Sequence, residues 1–286
     1  MKRRCQVWAV LNVTPDSFSD GGEAFERESA FKRAQSLLAA GADVIDIGGV
    51  SSRPPGKTYG AGAAAVSVEE ELRRVIPVVE QIVHELGARV SIDTVRPEVA
   101  RAALRAGAKI VNDISNGSSE ELLEVAARAG AELVLMHNRG DGRAFGEDAS
   151  YRSVVDDVVG ELSAAAVRAS CAGVPFNQIW IDPGIGFAKT AQDSLGVLGG
   201  LSRLVKTGYR VLVGPSRKSF IAVVEENADV PQSGPRERVG GTAAAVAYAV
   251  LCGAHGVRVH DLPVMRQTVL VTEALLEARS RQERGW

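Results

Sequence analysis

The segment "SIDTVRPEVARAALRAGAKIVND", residues 91–113, contains one complete repeat of the pattern that sets the fold. Val90–Ile92 and Lys109–Val111 are short apolar runs, which predict buried strands. Between them, Val99–Ala106 has apolar residues at helical spacing. Parallel strands need a crossover of about a dozen residues or more, usually a helix, so the segment predicts a parallel strand–helix–strand unit.

The same unit recurs along the whole chain. Further strands are predicted at Val7–Leu11, Val44–Ile47, Glu132–Met136, Ile179–Ile181, Val211–Val213 and Val257–Val259. Further helices are predicted at Arg27–Ala40, Ser67–Leu86, Glu120–Ala129, Val154–Cys171, Ser194–Val205, Thr242–Cys252 and Met265–Arg279. Eight strands apolar on both faces, alternating with eight helices, predict an α/β protein with a single-domain (β/α)8 TIM barrel over residues 1–286. An open doubly wound sheet is the alternative, but no GxGxxG follows the first strand to favour it.

Composition and charge restrict the class of protein further. A chain of 286 residues with 45% hydrophobic residues is typical of a globular enzyme, and its net charge of −2 predicts no binding to nucleic acid or to a membrane surface. The longest apolar run, Ala243–Ala254, is too short to cross a bilayer, which needs about 18 residues or more. The three cysteines are far apart in sequence, which favours a reducing compartment and a cytoplasmic protein.

Polar side chains recur where the predicted strands end. They are Asn12, Asp46, Asp93, Asn112, Asp113, His137, Asp182, Ser216 and His260. In a barrel of this type all strand C-termini meet at one end, where active sites lie, so the repetition predicts the floor of a pocket. For any single residue, a turn or a helix cap is the alternative.

The residue types at these strand ends suggest a chemistry. Asp93, Asn112 and Asp182 could together hold a flat, nitrogen-rich heterocycle by its hydrogen-bonding edge. The amide oxygen of Asn12 suits Mg²⁺, although a local turn is nearly as good an explanation.

Cationic side chains follow the last two strands and predict an anion site. They lie in Ser216-Arg217-Lys218-Ser219 and in Arg258-Val259-His260. Loops after the seventh and eighth strands of such barrels commonly hold a phosphate, for which Arg and Lys are suitable ligands. The alternatives are a solvated loop residue for Lys218 and a core histidine for His260.

Seven segments in this order resemble the dihydropteroate synthase family of the folate pathway. They are "NVTPDSFSDGG", "DIGGVSSRP", "SIDTVRPEVA", "NDIS", "DPGIGF", "SRKSF" and "RVHD". The resemblance extends from about Gln6 to Leu276. It implies a (β/α)8 barrel, a homodimer formed through the last helices, and a reaction that joins 4-aminobenzoate to 6-hydroxymethyl-7,8-dihydropterin diphosphate with release of diphosphate.

The resemblance also implies a role for each matching residue. The pterin would be held by Asp93, Asn112, Asp182 and Lys218. The diphosphate would be bound by Arg258 and His260, by Mg²⁺ on Asn12, and by Asp20 and Arg53 from two loops. The aminobenzoate site would contain Ser52, Pro54, Phe187 and Ser219. Asp93 and Asp182 would stabilise positive charge on the heterocycle, while Arg258 and His260 would stabilise the leaving diphosphate.

Three departures and two alternatives accompany the resemblance. The loop "RPPGKTYGAGAAAVS" is several residues longer than in many relatives. Val50 stands where the family usually has Glu, and Ser52 where it usually has Thr. A pterin-dependent methyltransferase domain would share the barrel but would not need Lys218 or the Arg258–His260 pair. A non-catalytic pterin-binding paralogue is the other alternative, against which the complete first-loop motif with Asn12 and Asp20 argues.

Overall fold

The computed structural model describes residues 4–14, 22–50, 66–139 and 149–283, with side chains from residue 27 onward in the second of these ranges. Its strands are β1 Gln6–Asn12, β2 Val44–Gly48, β3 Val90–Asp93, β4 Ile110–Asp113, β5 Glu132–Met136, β6 Ile179–Asp182, β7 Arg210–Val213 and β8 Gly256–Val259. They form one closed barrel in sequence order, and β1 pairs with both β2 and β8 in parallel. The predicted (β/α)8 barrel is confirmed, and all eight predicted strands are present.

The helices cover the outside of the barrel. Within the described ranges they are α1 Gly22–Ala39, α2 Val68–Leu86, α3 Pro97–Arg105, α4 Glu120–Arg128, α5 Val154–Cys171, α6 Ala191–Gly199, α7 Leu201–Val205, α8 Phe220–Asn227, α9 Val239–Leu251 and α10 Leu262–Glu283. The single helix predicted at Ser194–Val205 is wrong, because the chain divides it at Gly200 into α6 and α7. Helix α8 was not predicted, because its apolar residues, Phe220–Val224, are consecutive and show no helical spacing.

An apolar layer fills the lower part of the barrel. Its members are Trp8, Val44, Ile110, Val134, Trp180 and Leu212. The rings of Trp8 and Trp180 meet edge to face with centroids 5.3 Å apart, although β1 and β6 are not neighbouring strands. Contact between such strands is possible only across the barrel interior, so the interior at this level is packed.

The end of the barrel at the strand N-termini is closed by a polar network around Glu132. Its carboxylate accepts hydrogen bonds from Trp180 Nε1 at 2.6 Å and from Arg210 Nη1 at 2.9 Å, and it also pairs with Arg89. These partners satisfy both carboxylate oxygens close to the apolar layer. An open pocket is therefore expected at the opposite end, above the apolar layer.

The sequence predicted no membrane-spanning segment and three unpaired cysteines. Across the ranges that the structure describes, no helix combines the length and the apolar character that a membrane crossing requires. Cys5 is buried, Cys171 is exposed and Cys252 is half-buried, and all three are free thiols.

Candidate active site

A change from apolar to polar side chains occurs one step above the apolar layer. Successive side chains of a strand point alternately into and out of a barrel, so residues two apart share the interior. Two positions beyond Val44, Ile110 and Trp180 come Asp46, Asn112 and Asp182. Strands β3 and β8 contribute Asp93 and Arg258. The polar floor expected at the strand ends is therefore built from inward positions of strands β2, β3, β4, β6 and β8.

Arg258 joins this floor across the barrel. Its Nη2 donates a hydrogen bond to Asp182 Oδ2 at 2.9 Å, and its Nε lies 3.7 Å from Asp46 Oδ2. Asp46 Oδ2 also accepts from Asn112 Nδ2 at 3.3 Å. Asp182 is fixed on its other side, where Oδ1 accepts from Gly184 N at 2.8 Å. One guanidinium thus neutralises two buried carboxylates that come from different strands.

Arg258 lies deeper inside the barrel than the sequence predicted. The sequence places it at the phosphate rim with His260, whereas its guanidinium lies among the carboxylates of the expected pterin pocket. The reason is its position in the strand, because Arg258 is an inward residue of β8 and His260 is the first residue beyond the strand. His260 Nδ1 lies 3.0 Å from Ser216 Oγ, which ties the loops after β7 and β8 together.

Burial shifts the protonation of this floor. The pKa of Asp93 is raised to about 8, chiefly by burial and then by the Asp46 carboxylate, against the opposing charge of Arg258. Burial likewise raises the pKa of Asp46. The pKa of Lys218 is lowered to about 8, by burial first and by Arg258 second. Three acids therefore share two cations, and part of the excess negative charge is removed by protonation.

Several buried polar atoms of the floor have no protein partner within the described ranges. They are Asp46 Oδ1, Asp93 Oδ1, Asn112 Oδ1 and Arg258 Nη1. A buried polar atom without a hydrogen bond costs roughly 1–3 kcal/mol, so such atoms are rare unless water or a ligand satisfies them. Three acceptors and one donor at the barrel mouth match a ligand that carries both donors and acceptors.

Phe187 and Lys218 form the side wall of the floor. The Lys218 ammonium lies 4.1 Å from the centroid of the Phe187 ring, a distance at which cation–π attraction operates. The Phe187 ring is 7% exposed and packs on Met136 and Ile114. Ser219 follows Lys218 directly at the start of α8 and is exposed. The structure therefore brings together residues from the expected pterin site and the expected aminobenzoate site.

Other polar residues near the strand ends have local structural partners. Asp113 accepts hydrogen bonds from Ser115 N, Ser115 Oγ and Gly117 N, so it organises the turn after β4. Arg217 forms a two-point ion pair with Asp261, at 3.0 Å and 2.6 Å. For Asp113 the alternative of a local role is therefore the one observed.

The position of Asn12 is suitable for a hydrated cation. Asn12 is the last residue of β1 and pairs with Gly48. A side chain on Gly48 would stand 3.7 Å from Asn12 Oδ1 and 3.6 Å from Asp93 Oδ2, so glycine leaves this space open. No group of three His, Cys, Asp or Glu able to hold a metal occurs in the described part of the chain. Mg²⁺, which keeps several waters and binds substrate phosphates, needs few protein ligands and fits this position.

Four of the expected site residues lie outside the described residues. They are Asp20, Ser52, Arg53 and Pro54. Conversely, Asp46 contacts both Asn112 and Arg258, whereas the sequence named it only among the strand-end residues and assigned it no ligand. The sequence signal for this role is that Asp46 lies two positions beyond the inward Val44 in β2, so both side chains point into the barrel.

Comparison with known proteins assigns the class. A family model described as pterin binding enzyme matches residues 8–260. The dihydropteroate synthase of Synechocystis sp. is 44% identical over 96% of this chain and 91% of its own length. That of Bacillus subtilis is 41% identical over 96% of this chain and 90% of its own length. The chain belongs to the family of pterin-binding enzymes.

Solved structures narrow the assignment. The dihydropteroate synthase of Xanthomonas albilineans with 4-aminobenzoic acid is 40% identical, has a TM-score of 0.85, and covers 96% of this chain and 93% of its own. Its complex with 7,8-dihydropteroate has a TM-score of 0.82 at 37% identity, over 96% of this chain and 94% of its own. Within the family, the chain is a dihydropteroate synthase, a transferase of folate biosynthesis.

Proposed function

We propose that the polar floor binds the pterin ring of 6-hydroxymethyl-7,8-dihydropterin diphosphate through Asp93, Asn112, Asp182 and Lys218. The observation that carries this proposal is the pair of buried, unpartnered acceptors Asp93 Oδ1 and Asn112 Oδ1, as far as the described residues extend. They lie on neighbouring strands in register with each other. A pterin edge offers ring N–H and amino donors, which would satisfy both atoms at once.

The proposed reaction exchanges one bond at the methylene carbon of the pterin. The bond from carbon to the diphosphate oxygen breaks, a bond from carbon to the arylamine nitrogen forms, and the amine loses a proton. Positive charge that develops on the pterin is stabilised by Asp93 and Asp182. Negative charge on the diphosphate is stabilised by Arg258 and His260. Such fixed charges lower the barrier without a covalent enzyme intermediate.

Asn12 would hold Mg²⁺ beside the diphosphate. The bound ion would supply additional neutralisation of the leaving group. The open space over Gly48 and the amide oxygen of Asn12 support this assignment. Removal of divalent cations with a chelator should abolish turnover, and added Mg²⁺ should restore it. Full activity in the presence of chelator would exclude a metal requirement.

The aminobenzoate site would lie beside Phe187 and Ser219, with Ser52 and Pro54 contributed by the second loop. Asp20 and Arg53 would complete the diphosphate site. Support comes from the contact of the Phe187 ring with Lys218, which makes the second site continuous with the pterin floor. The relative from Xanthomonas albilineans has been solved with 4-aminobenzoic acid.

A coupled assay of diphosphate release tests the whole proposal. The purified protein should release diphosphate at a steady rate only when both substrates are present. A pterin-dependent methyltransferase domain or a non-catalytic pterin-binding protein would release none. Replacing Asp93 with Asn in the same assay should lower the rate strongly, because the variant can no longer carry the carboxylate charge.

We also propose a cytoplasmic homodimer formed through the last two helices. Large apolar side chains are exposed on the neighbouring helices α9 and α10. They include Tyr248, Leu251, Val264, Val271 and Leu275. The spacing of Val264, Val271 and Leu275 puts them on one face of α10. The three free thiols agree with a reducing compartment.

Sedimentation velocity tests the dimer. The wild-type protein should sediment as a dimer, and Leu275→Glu should sediment as a monomer, because a charge would be buried at the interface. Exposed Val167 on α5 offers the matched control, since Val167→Glu should leave the dimer intact. A monomeric wild type, or loss of the dimer in both variants, would contradict this arrangement.

A further inference from the structure

Lys189 connects the loop after β6 to the end of β5. Its Nζ lies 2.8 Å from His137 Nδ1, 3.2 Å from the carbonyl oxygen of Gly184 and 3.1 Å from that of Phe187. An ammonium group has three donors and no acceptor, so all three protons find a partner here. The buried setting lowers the pKa of Lys189 to about 7, yet the three acceptors match the charged form of the side chain.

Glu161 determines which ring nitrogen of His137 can accept a hydrogen bond from Lys189. The His137 ring is fully buried, and its Nε2 lies 3.0 Å from Glu161 Oε2. A carboxylate can only accept, so Nε2 carries the proton and Nδ1 presents its lone pair to Lys189. Burial lowers the pKa of His137 to about 3, which keeps the ring neutral. Glu161 is held in turn by Arg139, whose Nε donates to Oε1 at 3.0 Å.

The turn that Lys189 holds carries Phe187. Phe187 N donates to the carbonyl oxygen of Gly184 at 3.0 Å, which closes the turn. Tyr151 adds a further contact, because its hydroxyl donates to the carbonyl oxygen of Ala188 at 2.7 Å. Lys189 and Tyr151 therefore fix three carbonyl groups of a segment that belongs to no helix or strand, and Lys189 is itself tied to His137 at the end of β5.

We propose that Lys189 is a positioning residue, which fixes the Phe187 ring as the wall between the pterin floor and the aminobenzoate site. It acts through His137 and Glu161 on one side and through the Gly184–Phe187 turn on the other. The inference rests on the proposed role of Phe187 in binding aminobenzoate. Lys189, His137 and Glu161 would contact neither substrate, but they would determine the position of the Phe187 ring.

A double-mutant cycle tests the inference. Lys189→Met keeps an unbranched side chain that is one atom shorter and leaves three acceptors without a donor. It should raise the KM for 4-aminobenzoate about tenfold and change the KM for the pterin diphosphate by less than about threefold, since displacement of a binding group by about 1 Å can cost up to two orders of magnitude. Phe187→Ala should also raise the aminobenzoate KM. In the Phe187→Ala background, Lys189→Met should have little further effect.

Two controls complete the design. Lys206→Met changes an exposed lysine in the same way and should leave both KM values unchanged. If Lys189→Met does not fold, Glu161→Gln takes its place in the cycle, because it keeps the side-chain shape and removes the carboxylate that fixes the His137 tautomer. Additive effects of the Lys189 and Phe187 changes would overturn the positioning role. An unchanged aminobenzoate KM in Phe187→Ala would instead overturn the proposed role of Phe187, and the wall with it.

Discussion

Arg258 and Asp182 form a direct ion pair inside the mouth of the barrel, with Nη2 2.9 Å from Oδ2. Only 12% of the Arg258 side chain and 1% of the Asp182 side chain are exposed. A pterin that donates to Asp182 would share Oδ2 with this guanidinium or displace it, and a displaced guanidinium would be available to the diphosphate nearby. Entry of the ring would thus be linked to capture of the leaving group by a single side chain.

The first prediction separates these two roles. Arg258→Ala should lower kcat/KM for the pterin diphosphate about 10- to 100-fold, as loss of a charge-assisted contact worth roughly 1.5–3 kcal/mol implies. It should change the affinity for a bare pterin analogue less than about threefold, because the pterin itself supplies the donor to Asp182. Asp182→Asn should weaken both ligands. Steady-state kinetics measures kcat/KM, and calorimetry measures the affinity for each of the two ligands. Equal losses of affinity for both ligands in Arg258→Ala would refute a diphosphate role for Arg258.

The second prediction concerns pH. The pKa of Asp93 is raised from 3.8 to about 8, so the folded protein binds this proton more tightly than the unfolded chain. The stability contributed by the protonated carboxyl is complete below about pH 4 and is lost as pH rises through about 8. Asp93→Asn cannot ionise, so its melting temperature should exceed that of wild type by an amount that grows between about pH 4 and pH 8.

Thermal unfolding across this pH range measures the difference. Glu121 is an exposed carboxylate, and Glu121→Gln should follow the wild-type profile at every pH. Parallel profiles for wild type and Asp93→Asn would show that Asp93 is already ionised at neutral pH. The expected gain also illustrates a stability cost at a functional position, since the carboxylate needed for binding is unfavourable in the empty fold.

The sequence predicted the barrel because its signal is local. Val90–Ile92 and Lys109–Val111 are short and mainly apolar, and their length and spacing leave few alternatives to a buried parallel strand. Helix α8 was missed because its apolar residues, Phe220–Val224, are consecutive and define no stripe at helical spacing. The break at Gly200 depends on contact with α5, where a side chain would approach Val155 Cγ1 to 2.6 Å, and such tertiary contacts leave no local pattern.

The sequence predicted which residues form the candidate site, but it did not predict how deep in the barrel each side chain lies. Strand-end positions identified Asp93, Asn112 and Asp182, because carboxyl ends of parallel strands converge. The depth of Arg258 depends on whether it is the last inward residue of β8 or the first loop residue, and the boundary of a strand is uncertain by that much in sequence. The Lys189–His137 contact joins residues 52 positions apart and has no signature in either segment.

The third prediction concerns the closed end of the barrel. Glu132→Ala would leave the Trp180 indole and the guanidinium groups of Arg89 and Arg210 without their shared acceptor. Loss of a partner for buried donors costs roughly 1–3 kcal/mol, and for a chain of this size about 1 kcal/mol corresponds to about 2–4 °C in Tm. Thermal unfolding should therefore show a clear decrease in Tm.

A matched surface pair provides the reference for this change. Glu121 pairs with Arg101 at 2.8 Å, but both side chains are largely exposed. Glu121→Ala should shift Tm by less than about 2 °C, because exposed ion pairs contribute between about 0 and 1 kcal/mol. Similar shifts for Glu132→Ala and Glu121→Ala would show that the network around Glu132 is as weak as a surface pair.

The last prediction compares two glycines with nearly the same backbone conformation. Gly184 has φ 63° and Gly87 has φ 60°. A Cβ on Gly87 would meet nothing within 4 Å, whereas on Gly184 it would stand 2.0 Å from the carbonyl oxygen of His137. Gly87→Ala should therefore cost only the left-handed conformation, about 1–2 kcal/mol. Gly184→Ala must also push its turn away from β5, which displaces Phe187 and the N–H that holds Asp182. Thermal unfolding and both KM values should show a larger loss for Gly184→Ala, with weaker binding of both substrates, and equal effects would mean that the turn is free to move.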